Sequence, residues 1–81
     1  MMKNLLDGVP ASVVFRTIMQ ADLTIDSRKL GNILTLEYPN VDPGASMAIR
    51  KWLNPERGYD LPDEEIDALI FHYLRDAGYI S

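Results

Sequence analysis

The sequence predicts an all-α domain, a compact bundle of four short helices over residues 10–21, 27–38, 43–53 and 63–77. Three observations carry that reading. Apolar residues recur with a period near 3.6 rather than 2 in four separate stretches. The five prolines and five glycines fall mainly at the ends of those stretches. Hairpin signals are lacking, since Asp7-Gly8 precedes the first periodic stretch and has no strand on its left.

The first helix is expected to begin at Pro10, whose fixed φ suits a first-turn position. Ala11, Val14, Phe15, Ile18 and Ala21 then share one face, with Arg16 and Gln20 opposite. The second helix has a clear entrance, because Asp26 can accept hydrogen bonds from free amides while Ile25 and Leu30 occupy the staple positions. Leu30, Ile33, Leu34, Leu36 and Tyr38 cover a wide arc, which predicts a central position. Gly31 costs this helix about 1 kcal/mol relative to Ala, so a neighbouring helix is expected to pass close by. Tyr38-Pro39 stops it.

Asp42-Pro43 opens the third helix, and Ala45, Ala48, Ile49, Trp52 and Leu53 line its inner face. Asn54-Pro55 closes it, and "NPERGYD" reads as a tight surface turn in which Gly58 takes φ > 0. The fourth helix follows Pro62, and Asp63, Glu64, Glu65 and Asp67 load its start with the charge that the positive helix end favours. Its inner face is Ile66, Leu69, Ile70, Tyr73, Leu74 and Ala77, and Gly78 stands at the left-handed closing position, with Leu74 and Tyr79 placed to touch.

Composition limits the function classes. A chain of 81 residues with 47% hydrophobic and 25% charged residues is one ordered domain, with residues 1–8 expected to be flexible. The absence of cysteine excludes disulfides, thiolate chemistry and cysteine-ligated zinc. "MMKNLLDGVP" has too short an apolar run for a signal peptide, and no stretch reaches the ~20 apolar residues of a membrane span. A cytoplasmic protein with no membrane partner is therefore expected. Twelve acids against eight bases, a net charge of −4, disfavour non-specific attachment to nucleic acid.

One specific signal does point to DNA. Only Pro39–Asp42 joins the second and third helices, as in a helix-turn-helix pair. With the third helix in a major groove, Ser46, Met47, Arg50, Lys51 and Asn54 would face the bases, arginine toward guanine and asparagine toward adenine. Arg28, Lys29 and Arg57 would add backbone contacts. Against this, Arg50 and Lys51 complement the negative end of their own helix. Gly44, Ser46 and Met47 offer little hydrogen bonding where readers place their base contacts, and Asp42 would approach phosphate. DNA binding is kept as the alternative.

Other chemistry has thinner support. His72 and Asp76 form an i, i+4 pair suited to a surface contact, with no serine-nucleophile pattern, second histidine or phosphate loop beside them. The run Asp60, Asp63, Glu64, Glu65, Asp67 lacks the alternating ligands and central glycine of a calcium loop. No metal, cofactor or catalytic residue is therefore assigned. "IDSRKLG" places Ser27 in Asp26-Ser27-Arg28, which resembles the Asp-Ser-Leu phosphopantetheine site of the acyl carrier proteins. Arg28 stands where that family has an apolar residue, and too few residues precede Ser27 for the family's first helix and loop. A carrier or enzymatic role is thus the remote alternative. "EYPNVDPGASMAIRKW" resembles the Tyr-Tyr-Pro and following helix of acidic colicin-immunity proteins over some sixteen residues, without the second tyrosine. No family is assigned on it.

The residues that the helical faces do not need then carry the main expectation. Phe71 points away from the inner face, between Asp67 and Arg75 one turn to either side. Leu36 lies at the margin of its arc, and Met47, Val13, Tyr79 and Ile80 are also unclaimed. An aromatic anchor ringed by charge marks a protein-binding patch. So small a core yields only roughly 3–5 kcal/mol, a shortage that a partner or self-association into a homodimer would relieve. The expected function is a non-catalytic protein-binding module, an adaptor, inhibitor or regulatory subunit. Phe71, Asp67, Arg75, Leu36 and Met47 would supply its contact surface, with Arg50, Lys51 and Arg57 for orientation.

Overall fold

A computed structural model describes residues 1–54 and 56–80. It contains α1 (Ala11–Ala21), α2 (Ser27–Glu37), α3 (Gly44–Trp52) and α4 (Asp63–Asp76), each within a residue or two of its expected bounds. Two elements were not expected. Lys3–Leu5 form a 3-10 turn, and β1 (Leu53–Asn54) pairs antiparallel with β2 (Gly58–Tyr59) as a minimal hairpin between α3 and α4.

The helix ends follow from local chemistry. Asp26 accepts a hydrogen bond from the Lys29 amide at 2.9 Å, capping α2. Asp42 does the same for Gly44 at 2.7 Å, while Pro43 is the cap residue of α3 rather than its first helical one. At the end of α4, Gly78 takes φ +88°, the Gly78 amide donates to the Arg75 carbonyl, and the Tyr79 amide donates to the Leu74 carbonyl. Both bonds of a left-handed helix closure are therefore made. Pro10 caps α1 but has no amide and no capping side chain. That gap is filled from elsewhere, by Asp67 of α4, which accepts from the Ser12 amide at 2.7 Å.

One interior joins all four helices. Phe15 from α1, Leu30 and Leu34 from α2, Ile49 and Trp52 from α3, and Ile66, Ile70 and Leu74 from α4 are almost wholly buried. Trp52 has no exposed surface, and the Phe15 ring lies 5.8 Å from its own. Gly31 makes the expected close approach: a Cβ there would stand 3.1 Å from Cβ of Ser46 in α3. Thr35 and Ser46 share a hydrogen bond at 3.2 Å across the same contact. Gly44 makes a second such approach, against the ring and hydroxyl of Tyr73.

The packing also places the N-terminal segment, Leu36 and Ala21. In the segment of residues 1–8, Met2 and Leu5 are buried in the core. Glu37 accepts the Met2 amide at 2.9 Å, and the Tyr38 hydroxyl donates to the Met2 carbonyl at 3.0 Å. Two apolar side chains and two long-range hydrogen bonds thus hold a segment whose sequence has no periodicity to reveal them. Leu36, expected at the margin of its arc and among the contact residues, is 82% exposed, because α3 covers α2 on the side of Gly31 and leaves this one open. Ala21 is exposed as well, past the last turn that the core reaches.

Candidate functional site

One side of α4, from Asp67 to Leu74, lies beside the start of α1, and the chain between Leu5 and Pro10 runs past both. Together they enclose a groove of about 390 Å³ lined by Leu5, Val9, Pro10, Ala11, Ile70 and Leu74. Phe71 stands at its edge, 47% exposed. The groove is apolar because core residues, Leu5, Ala11, Ile70 and Leu74, are among those that line it. Asp67 also lines it, but its carboxylate is engaged by the Ser12 amide. Asp67 therefore ties the α4 wall of the groove to the start of α1. Arg75 follows Phe71 by one turn, exposed.

The remaining expected contact residues do not gather around Phe71. Met47, Arg50 and Lys51 line a second cleft, of about 440 Å³, with Asn54, Asp60 and Leu61. Arg57 is exposed and lies 4.0 Å from Asp60. Leu36 lines neither recess. The single patch expected from sequence is thus two surfaces and an isolated leucine.

The DNA-reading set is also divided. Ser46 faces α2 and donates to the Gly31 carbonyl at 3.2 Å, so it does not face outward as a base-reading residue must. Asn54 turns its side-chain oxygen to the amides of Glu56 and Arg57, at 2.9 and 3.3 Å, shaping the hairpin turn. Arg28, Lys29, Arg50 and Lys51 are exposed. The helices touch along their length, Gly31 against Ser46 and the start of α2 sharing a cleft with Arg50 near the end of α3.

The alternatives for chemistry can be placed as well. Ser27 has 2% of its surface exposed, too little to carry a prosthetic arm. His72 Nε2 lies 3.1 Å from Asp76 on an open helix face, with both side chains more than 60% exposed. Among the described residues, no three acidic, histidine or cysteine side chains are arranged to hold a metal ion. No helix among them is long and apolar enough to cross a membrane.

One cluster escaped the sequence reading altogether. The Arg16 guanidinium grips Asp63 through two hydrogen bonds and lies over the rings of Trp52 and Tyr59, 5.3 and 4.8 Å from their centres. The hydrogen bonds from Arg16, and next that from the Trp52 indole, hold the Asp63 carboxyl below the usual carboxylate range. Asp63 had been accounted for by the helix end and Arg16 by solvent. No sequence spacing links them.

Comparison of the chain with models of protein families, with curated proteins and with solved structures finds no match. Its chemistry is read from its own side chains.

Proposed function

We propose that the chain is a small non-catalytic protein-binding module whose apolar contact is the groove beside Phe71. The observation that supports this reading is Phe71 itself. A phenylalanine 47% exposed at the edge of an apolar recess adds little to the fold and offers a large anchor to a partner. Well-formed apolar recesses are the default binding sites of small domains. Arg75, exposed one turn after Phe71, would orient an incoming surface, since charge beside a contact acts mainly on association rate and selectivity. A second copy of the chain is one partner that the groove would accept.

The test is a Phe71→Asp variant. The reading expects helicity and melting temperature close to the parent's, together with loss of the partner retained by the parent in pull-downs from its native host. Sedimentation of both proteins over a range of concentrations reports whether that partner is a second copy. An intact interaction in the variant, or a collapse of its stability, would reject the groove as the contact.

A further inference from the structure

Beyond the groove, we propose that the cleft between the start of α2 and the end of α3 is a binding site for a single phosphoryl group. This cleft, of about 150 Å³, is lined by Ser27, Arg28, Gly31, Asn32, Ser46 and Arg50. It exists because Gly31 lets α3 approach closely, which brings Arg50 up to the first turn of α2. Its size is below the roughly 300 Å³ at which pockets begin to take drug-sized ligands, so it suits one small anion and excludes a nucleotide's base and sugar.

Ser27 supplies the observation that points to a ligand. It is 2% exposed, yet its hydroxyl makes no hydrogen bond among the described residues. No fully occluded side-chain nitrogen or oxygen there lacks a partner, so this hydroxyl keeps its small opening, and the cleft is what it lines. Buried polar groups are normally satisfied, and one left open toward a recess calls for a partner from outside. Arg28 and Arg50 give the sign of that partner. Neither makes an ion pair among the described residues, although the chain has twelve acids to eight bases. Asp26, the nearest carboxylate in sequence, caps α2 through the Lys29 amide and does not line the cleft. The first-turn amides of Ser27 and Arg28 have no protein acceptor among the described residues, and such amides favour anions.

Two arginine forks and a hydroxyl from two helices match the several oxygens of a phosphoryl group. A phosphorylated protein side chain fits better than a nucleic acid. Ser46 and Asn54, which would read bases, are occupied within the fold, and a net charge of −4 repels an extended polyanion. The site shares no residue with the groove beside Phe71, so either can fail alone.

The experiment is a titration of the ¹⁵N-labelled protein, at constant ionic strength, with inorganic phosphate, O-phosphoserine and serine. Saturable shifts are expected at the amides of Ser27, Arg28 and Gly31 with phosphate and O-phosphoserine, and none with serine. Arg28→Gln and Arg50→Gln, both exposed positions, should each weaken binding at least about tenfold, as loss of a charge-assisted contact implies. Ser27→Ala should weaken it while leaving the spectrum's dispersion intact. Shifts that do not saturate, that chloride reproduces, or that the arginine variants leave unchanged would overturn the proposal. So would tight, steeply salt-dependent binding of a duplex oligonucleotide without any response to phosphate.

Discussion

Asp63 Oδ1 receives hydrogen bonds from Arg16 at 2.8 Å and from the Trp52 indole at 3.1 Å, so α1, α3 and α4 meet at one carboxylate. The second oxygen accepts from Arg16 at 2.6 Å, closing a two-pronged contact between residues 47 apart in the chain. Arg16 and Asp63 keep 36% and 44% of their side-chain surface open to solvent. Screening therefore limits the energy of the pair. Its geometry matters more: the guanidinium lies over Trp52 and Tyr59 and shields the outer edge of the central indole.

Acid should weaken this contact. The Asp63 carboxyl is depressed below the ordinary ~3.9 of aspartate, so its contribution is full above that value and fades as pH falls through the folded-state pKa. Asp63→Asn should lower the melting temperature at pH 7, and the difference from the parent should shrink steadily below about pH 4. Melting curves from pH 7 to pH 2 check it. A gap independent of pH would mean that the carboxylate's charge is not what matters.

The contact at Gly31 gives a prediction of sign reversal. Alanine is the better helix former by about 1 kcal/mol, but its Cβ would stand 3.1 Å from the Ser46 side chain and 3.4 Å from its Cα. Because the Ser46 Cβ, which no rotation can move aside, is in the way, Gly31→Ala should destabilise by about 1 kcal/mol net. With Ser46→Gly already present, the same change should stabilise. Urea unfolding of the four proteins in this cycle measures both signs.

What the sequence disclosed and what it withheld divide along a physical line. Asp26, Gly78 and the periodic faces of α4 act over one or two turns, and such local signals define helices directly. Gly31 was legible for the same reason, as a local cost that only a neighbour explains. The Arg16–Asp63 contact depends on how α1 and α4 align, which no local rule encodes, and the acidic helix start was a sufficient reason for Asp63. Met2 and Leu5 lacked periodicity, and the β1–β2 hairpin carries only two residues per strand. In the candidate site, Phe71 was legible as the residue left over by the α4 pattern. Its companions were not, because which exposed residues adjoin one another depends on the packing of separate helices. Ser46 shows the limit: its spacing placed it outward, and the Gly31 approach turned it toward α2.

The division between surface and interior is testable on neighbouring leucines. Leu36, 82% exposed, should accept Asp within about 0.5 kcal/mol. Leu34, 1% exposed two positions earlier, should cost about 2–5 kcal/mol when truncated to Ala. Chemical denaturation of the two variants separates them, and comparable losses would show that α2 is rotated from the orientation described.

Tyr38 predicts an alkaline limb. Burial, and then the charge of Glu37, push its phenol up to about 12. A group whose folded pKa is raised contributes fully below its unfolded value near ~10, and its contribution is lost as pH rises through the folded one. Stability should therefore fall between about pH 10 and 12. Tyr38→Phe should flatten that fall and cost about 0.5–1.5 kcal/mol at pH 7, where it removes the hydrogen bond to the Met2 carbonyl. Melting at pH 7 and above pH 10 tests both parts.

The account turns on Trp52 being sealed in the shared core, because only then is Phe71 free to serve a partner rather than the interior. Iodide quenching of the chain's single tryptophan measures this directly. Emission at short wavelength, with a quenching constant far below that of free tryptophan, is the predicted result. Quenching close to that of the free amino acid would contradict the enclosed interior, and the assignment of Phe71 to the surface with it.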